Sequence, residues 1–351
     1  MNEKPHQLTV RASTANCFLT GFVDDAEETS LVFNSEQTVP GLPIQRIVFA
    51  TDFLESSRLA LDYAVAFAHQ FKVDLTIVHA FELPHEAEES ELLSHKASVS
   101  REMALTRLEG FAAGVRRLGI HAEIDLREGD PCRTVSRSAV ENQADLLVLG
   151  THGVYRGLEH LLLGSNAEKI LLSAPCPTLT VGRHVMAGID LDLRFSEILF
   201  VSDFTSEAAS AASYVLMLGN LLGARVELLP VAPENVSLNP DLLRESAEVH
   251  CLRLAENSMG SVRDWSDPKY YLERLMAPSE ILLRATQSVD SLIALGVHSM
   301  SRWDRHLHTS FAYELVANST CPVLSIQAAG QKPRSWSGNQ QGQMQPPHGS
   351  A

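Results

Sequence analysis

Short apolar runs and amphipathic stretches alternate along most of this chain. Residues 47–51 form an apolar run of strand length. Residues 56–71 follow with Leu59, Ala60, Tyr63, Ala64, Phe67 and Ala68 at helical spacing. The pattern then predicts a buried strand at 75–80, a long helical region at 88–118 and an alternating strand at 122–126. Residues 131–142 read as a helix with Pro131 in its first turn. A near-continuous apolar strand at 146–149, a short helix at 165–173 and a last strand at 178–181 complete the unit. The order then recurs, with strands predicted at 198–201, 226–230, 270–275, 292–295 and 323–326.

The recurrence extends to particular residues. Arg46-Ile47-Val48-Phe49-Ala50-Thr51-Asp52-Phe53 is answered by Glu197-Ile198-Leu199-Phe200-Val201-Ser202-Asp203-Phe204. The segment from Ala144 to Gly150 is answered by Asp290 to Gly296, and Ala174-Pro175-Cys176-Pro177 by Ser319-Thr320-Cys321-Pro322. Matches in the same order define a duplicated domain. Alternating strands and helices predict two tandem doubly wound α/β domains, each a five-stranded parallel sheet with helices on both faces. The expected boundaries are a partly disordered N-terminal arm at 1–43, domain 1 at 44–185, domain 2 at 194–327 and a disordered tail at 328–351. The short joint at 182–193 predicts that the two domains pack together.

Composition narrows the function. The chain has 351 residues and a formal net charge of −15, which argues against a nucleic-acid partner and against an anionic membrane surface. No apolar run reaches membrane-spanning length and the first residues lack a signal-peptide core, so a cytoplasmic location is expected. The five cysteines are scattered without metal-ligand spacing. Cys176 and Cys321, at equivalent positions, read as small buried hydrophobes.

Ligands of an open parallel sheet bind beyond the carboxyl ends of its strands. Asp52 lies just past the first strand. Gly150-Thr151-His152-Gly153 lies just past the fourth, and Gly164-Ser165-Asn166 opens the following helix. Glycines let backbone N–H groups approach an anion, and a helix N-terminus favours phosphate. Asp52 could equally cap the helix that follows, the glycines could serve turn geometry, and His152 could be a solvent-facing turn residue.

This segment resembles the universal stress protein family. Its nucleotide-binding members show Gly, two residues, Gly, nine residues, then Gly-Ser or Gly-Thr. Arg127-Glu128-Gly129-Asp130-Pro131 and Ala167-Glu168-Lys169-Ile170-Leu171 are also family-like, and the resemblance spans roughly residues 44–327. It implies a Rossmann-like stress-response protein that binds ATP or a related adenine nucleotide, with or without magnesium, as a regulatory ligand. By the same resemblance Asp52 would contact the adenine or ribose end, and Thr51 and Ala80 would line the base pocket. Gly150, Gly153, Gly164, Ser165 and Asn166 would hold ribose and phosphates, with His152 inside the loop. In the family the last strands pair across a dimer interface, so the two domains are expected to pair within one chain, or two chains to form a homodimer.

This chain departs from the family pattern in one respect. Ten residues, not nine, separate Gly153 from Gly164, and the extra residue falls between Gly153 and Gly157. The second copy keeps the spacing but reads Gly296-Val297-His298-Ser299 and later Thr309-Ser310, so two of its motif glycines carry side chains. It is expected to be a degenerate copy with a structural or regulatory role. His298, His306 and His308 lack a metal-ligand pattern, and no metal is expected. No nucleophile elbow, P-loop or paired-carboxylate constellation is present, so no catalytic residues are assigned. Weak adenine-nucleotide hydrolysis or nucleotidyl transfer on the same sheet is the enzyme alternative. A ligand-free interaction scaffold is the other.

Overall fold

A computed structural model describes residues 44–81, 91–151, 164–185, 191, 194–204, 206–231, 275–297 and 311–327. In the first repeat the order is β1 (Arg46–Ala50), α1 (Glu55–Phe71), β2 (Asp74–Phe81), α2 (Glu91–Arg117), β3 (Ala122–Glu128), α3 (Pro131–Glu141), β4 (Leu146–Gly150), α4 (Ser165–Ser173) and β5 (Thr178–Val181). The second supplies β6 (Glu197–Ser202), α5 (Ser206–Leu222), β7 (Arg225–Pro230), α6 (Pro278–Ala285), β8 (Ser291–Val297), α7 (Phe311–Asn318) and β9 (Val323–Gln327). The alternation read from the sequence is this order. Of the strand expected at 270–275, residues 270–274 lie outside the described residues, and Leu275 is not in a strand.

The two repeats share one sheet. Its nine described strands run β3-β2-β1-β4-β5-β9-β8-β6-β7. All neighbours within a repeat are parallel, and β5 meets β9 antiparallel, with Leu179 opposite Leu324 and Thr180 opposite Val323. This join gives β5 and β9, the last strand of each repeat, a partner and so covers one edge of each repeat.

Both faces of the sheet are covered, which is why β1, β4 and β6 read as unbroken apolar runs. One face is packed by α1, α2 and α5 through Ala64, Phe67, Leu108, Ala112 and Val215. The other is packed by α3, α4, α6 and α7 through Val135, Ile170, Ile281 and Leu315. Each core spans both repeats. Phe49 and Phe200, equivalent residues, are completely buried, and each contributes roughly 1.5–3 kcal/mol relative to exposure.

Helix ends follow from local chemistry. The Asp130 carboxylate accepts from the Arg133 N–H at 2.9 Å and caps α3, with Pro131 next in the helix. Gly129 before it has a φ of +126°, a conformation open to glycine, and its N–H donates to the Phe81 carbonyl.

Tyr63 and Tyr214 stand at the same position of α1 and α5. Burial first, then Cys321 and Asp290 of the second repeat, pushes the Tyr63 hydroxyl pKa up. Burial, then Cys176 and Asp145 of the first repeat, does the same for Tyr214. Each tyrosine is therefore close enough to feel groups of the other repeat. Phe195, from the second repeat, stacks on Tyr63 with ring centroids 6.4 Å apart. The thiols of Cys176 and Cys321 are raised by burial to about 12 and about 11, so both stay protonated and inert at neutral pH.

Candidate functional site

In the first repeat β1 lies between β2 and β4, so the strand order reverses at the β1–β4 boundary while the strands stay parallel. The crevice at the carboxyl ends of these strands is the topological switch point. Asp52 follows β1, and Gly150 closes β4.

Thr51 is built into the strand end. Its N–H donates to the Val78 carbonyl at 3.0 Å, and its Oγ1 accepts from the Phe53 N–H at 2.9 Å. The second bond closes a tight turn that leaves Phe53 at a φ of 62°. The second repeat makes the same turn, with Ser202 Oγ accepting from Phe204 N–H at 3.1 Å and Phe204 at a φ of 60°. A left-handed phenylalanine costs about 1–2 kcal/mol, and its recurrence marks the turn as a shared feature of both copies.

The Asp52 side chain is exposed. Its Oδ1 accepts from the Leu54 N–H at 3.0 Å and from the Ser57 hydroxyl. Asp52 is not the cap of α1, which is Leu54 without a side-chain cap bond; its Oδ1 supports the turn that leads into the helix. Ala80 sits half-buried on β2 opposite Arg127 of β3.

Gly150 has no room for a side chain. A Cβ there would lie 2.7 Å from the backbone carbon of Ser56 and 2.7 Å from the Ser57 nitrogen. The first turn of α1 rests directly on the end of β4, so this glycine is required by packing whatever else it does.

Thr151 is completely buried. Its N–H donates to the Val181 carbonyl at 3.1 Å, and its own carbonyl accepts from the Gly164 N–H at 2.7 Å. The two ends of the glycine loop are thus tied together. His152 and Gly153 lie outside the described residues, as do His298, Ser299, His306, His308 and Thr309.

Gly164 caps α4 with φ −60° and ψ 135° and supplies no side-chain cap. The opening N–H groups of a helix have no intrahelical acceptor. They lie at the helix's positive end, where an anion is favoured. Ser165 is half-buried and Asn166 exposed in that turn. A helix N-terminus with a glycine cap fits a phosphate group.

Sequence reasoning missed three residues here. Thr151 ties the loop, and the only signal was its position between Gly150 and His152. Ser57 bonds Asp52. His79 donates from Nδ1 to the Thr51 carbonyl at 2.7 Å, which fixes Nδ1 as the protonated nitrogen. Its ring lies 4.3 Å from Phe53, and Arg107 sits over the other partner, 5.5 Å from the Phe53 centroid. Burial lowers the His79 pKa, and Arg107 adds to this, against the opposing Thr51 carbonyl and Asp52. His79 is therefore a neutral structural brace at pH 7. Its signal was a titratable residue near the end of an apolar strand.

A doubly wound α/β protein with a crevice at its switch point is what this sheet order defines. The model of the universal stress protein family matches residues 43–182 and again 194–327, so the chain belongs to that family as a tandem member. A universal stress protein of Methanocaldococcus jannaschii is 31% identical over 143 residues, covering 39% of this chain and 81% of that protein. Another from Thermus aquaticus is 31% identical over 140 residues, covering 38% of this chain and 96% of that protein. The crystal structure of a universal stress protein from Archaeoglobus fulgidus covers 81% of this chain and 98% of its own, with a TM-score of 0.58 at 18% identity, a likeness of fold. No helix among the described residues is long and apolar enough to cross a membrane.

Proposed function

We propose that the first repeat binds ATP or a related adenine nucleotide as a regulatory ligand, one molecule per chain, in a cytoplasmic stress response. The observation that carries this reading is the Thr151–Gly164 bond. It draws the glycine-capped N-terminus of α4 to the end of β4, beside Asp52 at the end of β1. Phosphates would sit on the first turn of α4 near Gly164, Ser165 and Asn166, with His152 and Gly153 in the loop above. Asp52, Thr51 and Ala80 would face the base and ribose. Magnesium, where present, would accompany the phosphates and add charge neutralisation there.

The ligand is read as regulatory because the titratable groups at these strand ends are already committed. One oxygen of Asp52 supports the turn, and His79 braces Thr51. The second repeat, with Ser299 and Thr309 in place of loop glycines, acts as a built-in partner through the β5–β9 pairing, which stands in for a homodimer.

Isothermal titration of the full chain with ATP, with mass spectrometry of any nucleotide retained through purification, tests the reading. One site per chain is expected. No binding favours the ligand-free scaffold, two sites would overturn the assignment of the second repeat, and steady phosphate release would overturn the regulatory role.

A further inference from the structure

We infer that Ser57 is a positioning residue of the site proposed above, locking the Asp52 carboxylate so that its second oxygen meets a donor on the base or ribose. The inference rests on that reading of the site. Ser57 Oγ donates to Asp52 Oδ1 and accepts from the Asp52 backbone N–H at 3.2 Å. The Leu54 N–H bonds the same Oδ1 at 3.0 Å. The described hydrogen bonds to this side chain all fall on Oδ1, which leaves Oδ2 for a partner from outside.

Ser57 is itself held. It is buried in the first turn of α1, so close to Gly150 that a Cβ there would lie 2.7 Å from the Ser57 nitrogen. A rigid donor on a pinned helix end thus restrains an exposed acidic side chain. An unrestrained exposed aspartate would have to surrender rotamer freedom each time a ligand bound, and restraint in advance removes that cost. An ionised carboxylate only accepts hydrogen bonds, so its partner must be an N–H or O–H, as on an adenine amine or a ribose hydroxyl.

The second repeat separates this role from a merely structural one. Asp203 and Gly296 are retained there, and the turn has the same left-handed phenylalanine and the same hydroxyl-to-N–H bond. The residue equivalent to Ser57 is Ala208. The turn therefore forms without a serine at this position, and the Ser57 hydroxyl is surplus to it. The second repeat thus lacks the hydroxyl that bonds the aspartate side chain in the first, in the same copy that has lost loop glycines. The two halves of the crevice have degenerated together.

The test compares Ser57→Ala with the natural chain, both full length. Alanine is a strong helix former and already occupies this position in the second repeat, so folding is expected to be kept. ATP affinity should fall about tenfold, the scale of one lost charge-assisted restraint. Affinity for inorganic triphosphate, which does not reach Asp52, should stay the same. In the ligand-free protein, three-bond couplings of the Asp52 β-protons should show a single χ1 rotamer that becomes averaged in Ser57→Ala. Unchanged ATP affinity overturns the inference, and so does an equal proportional loss for both ligands, which would mean that α1 had shifted. An Asp52 rotamer already averaged in the natural chain overturns it too, whatever binds. A natural chain that takes up no ATP overturns the function proposed above, and the couplings still decide whether Ser57 holds Asp52.

Discussion

The Thr180 hydroxyl donates to the Val323 carbonyl at 3.1 Å, across the junction where the two repeats become one sheet. Its counterpart in the second repeat is Ser325, which lies opposite Thr178. Among the described residues Ser325 Oγ is the buried side-chain oxygen without a hydrogen-bond partner. The duplicated interface has kept its symmetry in backbone and lost it in side-chain bonding.

That asymmetry sets opposite expectations for two similar substitutions. Thr180→Val removes a made bond and leaves a buried carbonyl with less company, so it should cost about 1 kcal/mol. Ser325→Ala removes a hydroxyl that gains nothing in the folded state, so stability should change by less than about 0.5 kcal/mol or rise. Urea unfolding of both variants checks the pair. Equal losses would show that Ser325 has a partner in solution.

Glu197 makes the second repeat sensitive to acid. Its side chain, 6% exposed, receives Arg284 Nη2 at 2.6 Å and Arg225 Nη2 at 2.9 Å on Oε2, and the Ser291 hydroxyl at 2.8 Å on Oε1. Burial alone would raise its pKa, but Arg284, Ser291 and Arg225 overcome this and hold it at about 2. A depressed folded-state pKa contributes stability that is present above the unfolded value of 4.5 and is lost as the pH falls through it towards about 2. The contribution at neutral pH is on the order of 2–3 kcal/mol. Glu197→Gln should destabilise the chain near pH 7 and flatten its stability profile between pH 4.5 and 2. A variant with the same acid slope as the natural chain would show that other carboxylates carry it.

Much of this was legible in the sequence, for a physical reason. Strands covered on both faces are apolar throughout, so β1, β4 and β6 stand out, and duplication doubles the signal. The join between repeats was readable only through family resemblance, because nothing local in Thr178-Leu179-Thr180-Val181 says which edge it meets. The glycines show where local reading ends. Gly150 sits where a phosphate cradle would begin, yet its need for glycine comes from Ser56 and Ser57, far away in the chain. Gly164 has an ordinary backbone, so its value cannot lie in φ. Thr151 looked like filler between motif residues and proved to be the tie.

Gly150→Ala tests the close approach. The added Cβ would meet backbone at 2.7 Å, which no rotamer change relieves, so α1 must move off β4. Overpacking of this kind costs about 1–3 kcal/mol. Thermal or urea unfolding should show the loss with no ligand present. A fully stable variant would mean that the α1–β4 contact is looser in solution.

Gly164→Val is the complementary case, in which function should suffer while the fold survives. At φ −60° and ψ 135° the backbone admits any residue, so the variant should unfold at nearly the natural midpoint. Its branched side chain, however, would project beside the first-turn N–H groups of α4, where the phosphates are proposed to sit. Several charge-assisted hydrogen bonds at roughly 1.5–3 kcal/mol each would be weakened, partly replaced by water, for a net loss of about 2–4 kcal/mol in ATP affinity. Calorimetric titration of the folded variant makes the measurement. Together with Gly150→Ala it separates the two glycines, one needed for packing and one for the ligand. A Gly164→Val chain that binds ATP as tightly as the natural one would show that the α4 N-terminus does not hold phosphate, and the nucleotide, if bound, must be held elsewhere along the crevice.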